Sequence, residues 1–368
     1  MVGNPTRIAL ACALVAGPLF CGGAGAAQAT PALHPQPHHT TFVVKPGKGT
    51  PIQKAVDRAR PGDTVFVQPG HYTENVVVTK SLTLVGSGWG THGSVISQPK
   101  KPRRTACEGS NGICVMGKVD KKGKVVRPVA HVKVTGFEVR GFTDDGVVGF
   151  GTHDFRAEHI KAVSNKEYGV TSFHGTNTAL TNNDATGSGE AGIYLGDSPD
   201  ARGWVGDNNA WKNDIGVLVR DSTGVTVSGN RTGDNCAGIL AVNSGMGAIA
   251  GGKMTLRDNT ANGNSRHCAA MGDVPALSGL GIGLAGVHDV TVVHNTADGN
   301  RHTGTSLASG GIAVFSTKGI GGADPRNNKI ECNEAFGNRP VDLFSDRTGK
   351  KNVFKNNKHR TSKPAKLH

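Results

Sequence analysis

The sequence predicts an all-β chain wound as a right-handed parallel β-helix, a solenoid closed at its N-terminal end by a capping helix. Three observations predict it. Glycine supplies 54 of 368 residues while aromatics make up only 5%, so the chain is rich in turns and poor in material for a compact helical core. A Gly followed by alternating apolar residues recurs at Gly146, Gly169, Gly192, Gly216, Gly238, Gly281 and Gly311, with first intervals of 23, 23, 24 and 22 residues. A second repeat has its own spacing. Asn230, Asn259, Asn295 and Asn333 each have another Asn five residues on, at Asn235, Asn264, Asn300 and Asn338.

The chain opens with one charge, Arg7, then an apolar run from Ile8 to Phe20 and the small-residue motif Ala27-Gln28-Ala29. This pattern predicts a signal peptide over 1–29. The run is too short to cross a bilayer, and no later segment reaches about 18 continuous apolar residues. A secreted, extracellular protein without a transmembrane segment is therefore expected. Residues 30–40 are rich in Pro and His and are expected to form a disordered arm.

The solenoid domain is expected over 41–357. Its cap begins at Thr50-Pro51-Ile52-Gln53, with Thr50 as N-cap, Pro51 at the first helical position and Gln53 completing a capping box. Ile52, Ala55, Val56 and Ala59 share one apolar face. Pro61-Gly62-Asp63 ends the helix and Thr64–Val67 begins the first strand. In later coils Ile193 and Leu195, Val217 and Val219, and Ile312 and Val314 sit two apart, the period of a strand. Asn suits the turns because it tolerates left-handed backbone, and stacked Asn amides can bond from coil to coil. One coil cannot bury its inward row alone, and stacking creates the core.

Of the seven cysteines, export removes Cys12 and Cys21. Cys107 and Cys114 are close enough to clip a loop, while Cys236, Cys268 and Cys332 compete for a second bridge. The net charge is +13. Nine Lys or Arg lie in 97–130, expected as an inserted loop, and eight follow Asp346 towards a basic C-terminal tail over 358–368. Such a balance points to an extracellular polyanion, an acidic polysaccharide or cell-wall polymer. No aromatic platform or recognition helix points to nucleic acid. A monomer is expected.

Ile52-Gln53, Ala55-Val56, Pro61-Gly62-Asp63-Thr64-Val65, Pro69-Gly70-His71-Tyr72 and Glu74-Asn75 resemble the opening of pectin-lyase-like β-helix proteins. The Gly and Asn repeats carry the resemblance to about residue 357. It implies the fold and not one chemistry, since that superfamily includes polysaccharide lyases, hydrolases, epimerases, esterases and proteins without known catalysis. It also implies that the strand after each repeated Gly lines the substrate cleft.

Aligned on that Gly, Asp144, Glu167, Glu190 and Asp214 stand two residues before it in four consecutive coils, followed by Cys236. Coils are about 4.8 Å apart, where adjacent charges repel by about 1 kcal/mol in water and more at a shielded site. Bound Ca²⁺, raised pKa values, or nearby bases such as Lys166 and Lys212 would each relieve that repulsion. Five residues after the Gly stand His174, Asp197, Asp221 and Asn243. They read as turn-capping residues or as an acid–base set.

Between the columns lies an apolar outward row, Val148, Thr171, Tyr194, Leu218 and Leu240, which either floors a cleft or is covered by loops. The insertions 265–279 and 301–309 and the basic loop are placed by chain order to overhang it. Tyr194 and Arg220 suit a sugar ring and a uronate carboxylate, or proton transfer in β-elimination. The expected function is a carbohydrate-active protein engaging an acidic polysaccharide as a Ca²⁺-assisted lyase. Arg220, Tyr194 and His174 are its catalytic candidates. Lys212, Asp197 and Asp221 would bind substrate, and Asp144, Glu167, Glu190 and Asp214 would bind the metal. A non-catalytic wall- or polysaccharide-binding protein is the alternative.

Overall fold

The computed structural model describes residues 39–100, 107, 110–246, 250–271 and 274–367. The expected signal peptide, the arm up to residue 38 and part of the basic loop lie outside the described residues. The rest winds as parallel coils. One side of the stack is an eleven-stranded sheet running from Val76–Val78 to Ser362–Lys363. An 18-stranded sheet takes up the remainder of each coil. The twelve-residue strand Val129–Arg140 carries it round a corner, pairing with Leu82–Val85 along one half and Ser94–Ser97 along the other.

The alternating pattern sets which side chains point inward. Ile193 stacks between Val170 and Val217, and the row continues through Ile239, Ile282 and Ile312. All six are fully buried. Each contributes about 1.5–3 kcal/mol of apolar transfer, available only because a neighbouring coil covers it. The repeated Gly has a steric cause. A Cβ on Gly146, Gly169, Gly216 or Gly281 would stand 2.4–2.6 Å from the carbonyl oxygen of the equivalent Gly in the next coil.

The Asn repeat forms ladders. Amide nitrogens donate up the stack from Asn230 to Asn259, Asn259 to Asn295, Asn295 to Asn333 and Asn333 to Asn357, each at 2.9 Å. The second ladder runs Asn235, Asn264, Asn300, Asn338 and ends on Asp342 at 3.0 Å. Both extend further back than the four pairs suggested. Asn183 and Asn208 join the first, and Asn213 joins the second.

The helix spans Pro51–Arg58 and buries Ile52 and Val56 over the first coil, but the expected capping box does not form. Thr50 makes no side-chain cap bond. Instead Glu74, from the following coil, accepts the Ile52 and Gln53 amides at 3.0 and 2.9 Å. Gln53 is thereby free to face the solenoid. Its oxygen accepts the Val77 amide at 2.6 Å and its nitrogen donates to the Val77 carbonyl at 3.1 Å. A side chain here completes the hydrogen bonding of the first strand of the sheet.

Three expected boundaries change. Within the described part of 97–130, Ile113–Met116 is a regular strand of the eleven-stranded sheet, and Lys118–Val119 forms a hairpin with Val125–Arg127. Residues 358–367 are not a free tail. Lys358–His359 and Ser362–Lys363 pair with the coil before them, while Asp342 accepts the Arg360 and Thr361 amides. At the other end Thr40, inside the expected arm, donates to Asp63 at 2.8 Å. Disulfides join Cys107 to Cys114 and Cys236 to Cys268, and Cys332 is left free and exposed.

Candidate functional site

The outer face of the eleven-stranded sheet carries the apolar row, and it is not an open cleft. Val148, Thr171, Tyr194, Leu218 and Leu240 are all buried, because the insertions fold over them. His267–Cys268 pairs antiparallel with Leu277–Ser278, and the Cys236–Cys268 bridge ties this flap to the fifth position of the carboxylate column. Leu277, Ala308 and Phe315 pack with Tyr194, Leu218 and Leu240 in a second apolar cluster outside the solenoid core.

Two pockets open on this face. The first, about 710 Å³, lies between the projecting hairpin and the sheet, and is lined by Asp144, Asp145, Glu167, Lys121, Lys122 and Phe150 among others. The second, about 610 Å³, is walled by Leu218, Leu240, Val242 and Phe315, and reaches Glu190, Asp214 and Arg220. Its rim gathers Met246, Met271, Val274, Leu307 and Ile320, five of the large apolar side chains that the surface exposes. Tyr168, Phe173 and Tyr194 pack together, with Tyr168 stacked on Tyr194 at 4.5 Å and Phe173 at 4.8 Å from it. Phe173 lines the first pocket and Tyr168 the second.

The carboxylate column divides two and two between these pockets. Asp144 also accepts the Ser110 amide at 2.9 Å. Burial raises the Glu167 carboxyl above its ordinary range, and the charges of Asp144 and Glu190 add to it. Burial also raises Asp214, opposed by Arg266 and aided by Glu190. Among the described residues, one trio of metal-ligating side chains has donor atoms within 4.8 Å of one another, Asp214, Cys236 and Cys268. Its two sulfurs are bonded to each other, so no three carboxylates converge at that distance.

Four other candidates do come together. The Arg220 guanidinium lies 5.3 Å from the Tyr194 ring centroid and 3.3 Å from an Asp197 oxygen. The Tyr194 hydroxyl donates to that same oxygen at 3.4 Å. Buried Asp221 lies 4.0 Å from Arg220 Nε and accepts the Ser244 amide and hydroxyl at 2.8 and 2.5 Å. Among the described residues, Arg220 Nε has no hydrogen-bond partner. Burial pushes the Tyr194 hydroxyl well above its ordinary range, Arg220 pulls it down, and Asp197 and Asp221 push it up. Tyr194 is therefore a neutral phenol at neutral pH. Burial alone would lower Arg220, but its surroundings, the Asp197 carboxylate among them, outweigh burial and raise its pKa.

The aromatic row makes this packing depend on Gly196. The Tyr194 ring leans across Gly196 and occupies the space a side chain there would take. With Tyr168 stacked on it and Arg220 against it, Tyr194 offers no open face to a sugar. His174 is exposed at the edge of the cluster, bonded through Nδ1 to the Asp197 carbonyl at 2.8 Å and set against Phe150. Lys212 is an exposed turn residue with left-handed backbone, and it does not line either pocket.

Two site residues lay outside the sequence expectation. Asp145 is buried beside Asp144, accepts the Tyr168 amide at 3.1 Å, and has its pKa raised well above normal, by burial first and then by Glu167 and Asp144. Tyr168 has its hydroxyl raised, by burial first and then by Glu190. Both stand one residue before a repeated Gly, and that column was the signal for them.

Residues 125–359 match the family of the right handed β-helix region. The chain belongs to that family. No curated protein sequence matches the chain. Among solved structures, this right-handed β-helix is similar to the A-modules of two Azotobacter vinelandii mannuronan C-5 epimerases. With AlgE6 the TM-score is 0.59 at 14% identity, covering 84% of this chain and 90% of that one. With AlgE4 it is 0.58 at 16% identity, covering 83% and 90%. It is also similar to an alginate lyase from Paenibacillus sp. str. FPU-7, with a TM-score of 0.52 at 12% identity covering 88% and 99%. At these identities the similarity establishes the shared pectin-lyase-like fold.

Proposed function

We propose that this is a secreted, monomeric, carbohydrate-active β-helix that engages an acidic polysaccharide on the roofed face of the eleven-stranded sheet. The observation that carries this reading is the Arg220–Tyr194–Asp197 cluster, whose Arg220 lines the second pocket, with His174 at the cluster's exposed edge. A guanidinium held charged beside a phenol and an imidazole is suited to removing a proton next to a uronate carboxylate, because the cation stabilises the charge that develops. Arg220 would meet the carboxylate, His174 would take the C-5 proton, and the Tyr194 phenol would give a proton to C-5 in epimerisation or to the departing glycosidic oxygen in elimination, then recover it from His174. Asp197 and Asp221 would hold Arg220 in place, and Lys212 would act only at the outer edge. That the similar structures include mannuronan epimerases and an alginate lyase supports a polyuronate, since both reactions begin with that proton.

Ca²⁺ is the cofactor this reading takes. Carboxylate oxygens are the hard donors it needs, and two line each pocket, Asp144 and Glu167 the first and Glu190 and Asp214 the second. Water and substrate oxygens would complete the shell.

The test is near-ultraviolet absorbance of unsaturated uronate on alginate, pectate and glycosaminoglycans, with calcium or chelator. Nuclear magnetic resonance of solvent deuterium entering at C-5 is followed in parallel. Calcium-dependent signal in either, lost in Arg220→Gln, supports the reading. Absence of both on every polymer would replace it with a non-catalytic polysaccharide- or wall-binding protein. The covered Tyr194 ring and the apolar rim of the second pocket favour that second reading.

A further inference from the structure

The last coil carries a run of cations without an acid. Eight Lys and Arg stand between Arg347 and Lys366 with no acidic residue among them, and all eight are exposed. Earlier coils pair their cations, as in Lys133 with Glu158 and Arg156 with Asp154. Here only Lys358 has a carboxylate within 4.0 Å among the described residues, that of Glu334. The nearest preceding acids are already engaged. Asp342 accepts the Arg360 and Thr361 amides, and Asp346 accepts from Ser316 and Thr348.

Three of these cations, Lys358, Arg360 and Lys366, line one shape. An open groove of about 980 Å³ crosses the terminal coil, lined by Lys358, Arg360, Lys366, Thr361, Ser362 and Phe336. Arg360 lies 5.8 Å from the Phe336 ring centroid, which orients its guanidinium without neutralising it. Cations, hydroxyls and one aromatic edge together suit the charged groups and the apolar ring face of a sugar polymer.

We propose that this terminal groove is a second binding site, taking the carboxylate or sulfate groups of an acidic polysaccharide. It lies outside the sheet-face pockets and shares no lining residue with them. A bound polymer would be held at the end of the stack whether or not chemistry occurs on its side. The competing explanation is that lysines here merely block edge-to-edge pairing of an open strand. That role needs outward charge but no groove, and it makes a different prediction.

The experiment compares the mature protein with Arg360→Gln/Lys366→Gln, with Arg220→Gln, and with Lys121→Gln/Lys122→Gln/Lys124→Gln in the hairpin. Binding to polygalacturonate and to heparin is measured at about 0.1 M salt, where exposed charges still act over about 10 Å. The terminal variant is expected to lose about tenfold or more in affinity, with a shallower salt dependence and an unchanged melting temperature. The terminal variant should keep any calcium-dependent turnover that Arg220→Gln removes, which separates this site from the sheet-face function. The two polymers distinguish carboxylate from sulfate recognition. Unchanged affinity in the terminal variant, loss in the hairpin variant instead, or aggregation as its sole effect would overturn the proposal. So would binding of duplex DNA in preference to both polysaccharides.

Discussion

Gly238 and Asn264 compete for one space. A Cβ on Gly238 would stand 2.7 Å from the amide nitrogen of Asn264 and 2.6 Å from the Gly281 carbonyl oxygen. The Gly repeat and the Asn repeat are therefore one device. The ladder amide passes where the glycine has no side chain. Gly238→Ala should cost about 1–3 kcal/mol in denaturant unfolding, through overpacking against backbone that cannot yield. Gly319→Ala, with open space around it, should change stability by less than about 0.5 kcal/mol. Equal effects at the two sites would refute the coupling.

Gln53 closes the first strand of the sheet through Val77. Gln53→Ala leaves the Val77 amide without that acceptor and should destabilise the protein by about 1–3 kcal/mol. Hydrogen exchange localises the effect: Val76–Val78 should lose protection while the Asn ladders keep theirs. Loss spread evenly along the stack would argue against a local cap.

Asp214 gives a signed pH dependence. Its carboxyl is raised in the folded state by burial and Glu190, against the pull of Arg266. A raised acid contributes its full stability below the unfolded pKa of about 4 and loses it as pH rises through the folded value. Asp214→Asn removes that loss. The variant should gain up to about 1 kcal/mol over wild type at pH 7, and the gain should vanish near pH 3. If Ca²⁺ occupies the Glu190–Asp214 pair, millimolar calcium should raise the wild-type melting temperature and leave the variant unmoved.

Arg220 and Tyr194 separate structure from chemistry. Arg220→Ala leaves Asp197 and buried Asp221 without their cation and should cost about 3–5 kcal/mol. Tyr194→Phe keeps the stacking with Tyr168 and removes only a 3.4 Å bond to Asp197, costing less than about 1.5 kcal/mol. A proton-transfer role predicts about 100-fold or greater loss of turnover in Tyr194→Phe. Full turnover with normal stability would remove Tyr194 from the mechanism.

The Cys236–Cys268 bridge holds the roof of the second pocket. Its replacement by two serines should lower stability by about 2–4 kcal/mol. It should also increase binding of a hydrophobic dye, since Leu218 and Leu240 would lose their cover. Unchanged dye binding would show that the His267–Ser278 pairing suffices.

Much of the fold was legible because stacking imposes a period on the sequence. Gly146 to Gly311 marked the sheet, and Asn230 to Asn338 marked the corners. The strand at Ile113–Met116 was hidden by the basic residues around it, although Gly112-Ile113-Cys114-Val115 repeats the pattern. The cap was misread because Thr50 and Gln53 satisfy a local motif, while the group that caps the helix, Glu74, comes from the next coil. The site was legible as columns. Asp144 to Asp214 line two pockets as a series, and Asp197, Tyr194 and Arg220 meet. What the columns could not convey was the roof. Burial of Leu218 and Leu240 depends on how the insertions fold back, and that is set by long-range contacts and a disulfide rather than by any repeat.

The five-residue arm between the two Asn ladders never changes length. It is the same at 208–213, 230–235, 259–264, 295–300 and 333–338, although the interval between successive ladder rungs grows from 22 to 38 residues. Among the described residues, the added chain enters on either side of the strands of the eleven-stranded sheet. The molecule thus separates a metered frame from an unmetered margin. New loops can be grafted beside the sheet without disturbing the count that keeps the coils in step. Specificity on this scaffold can be rewritten by transplanting a roof while the frame beneath it stays untouched.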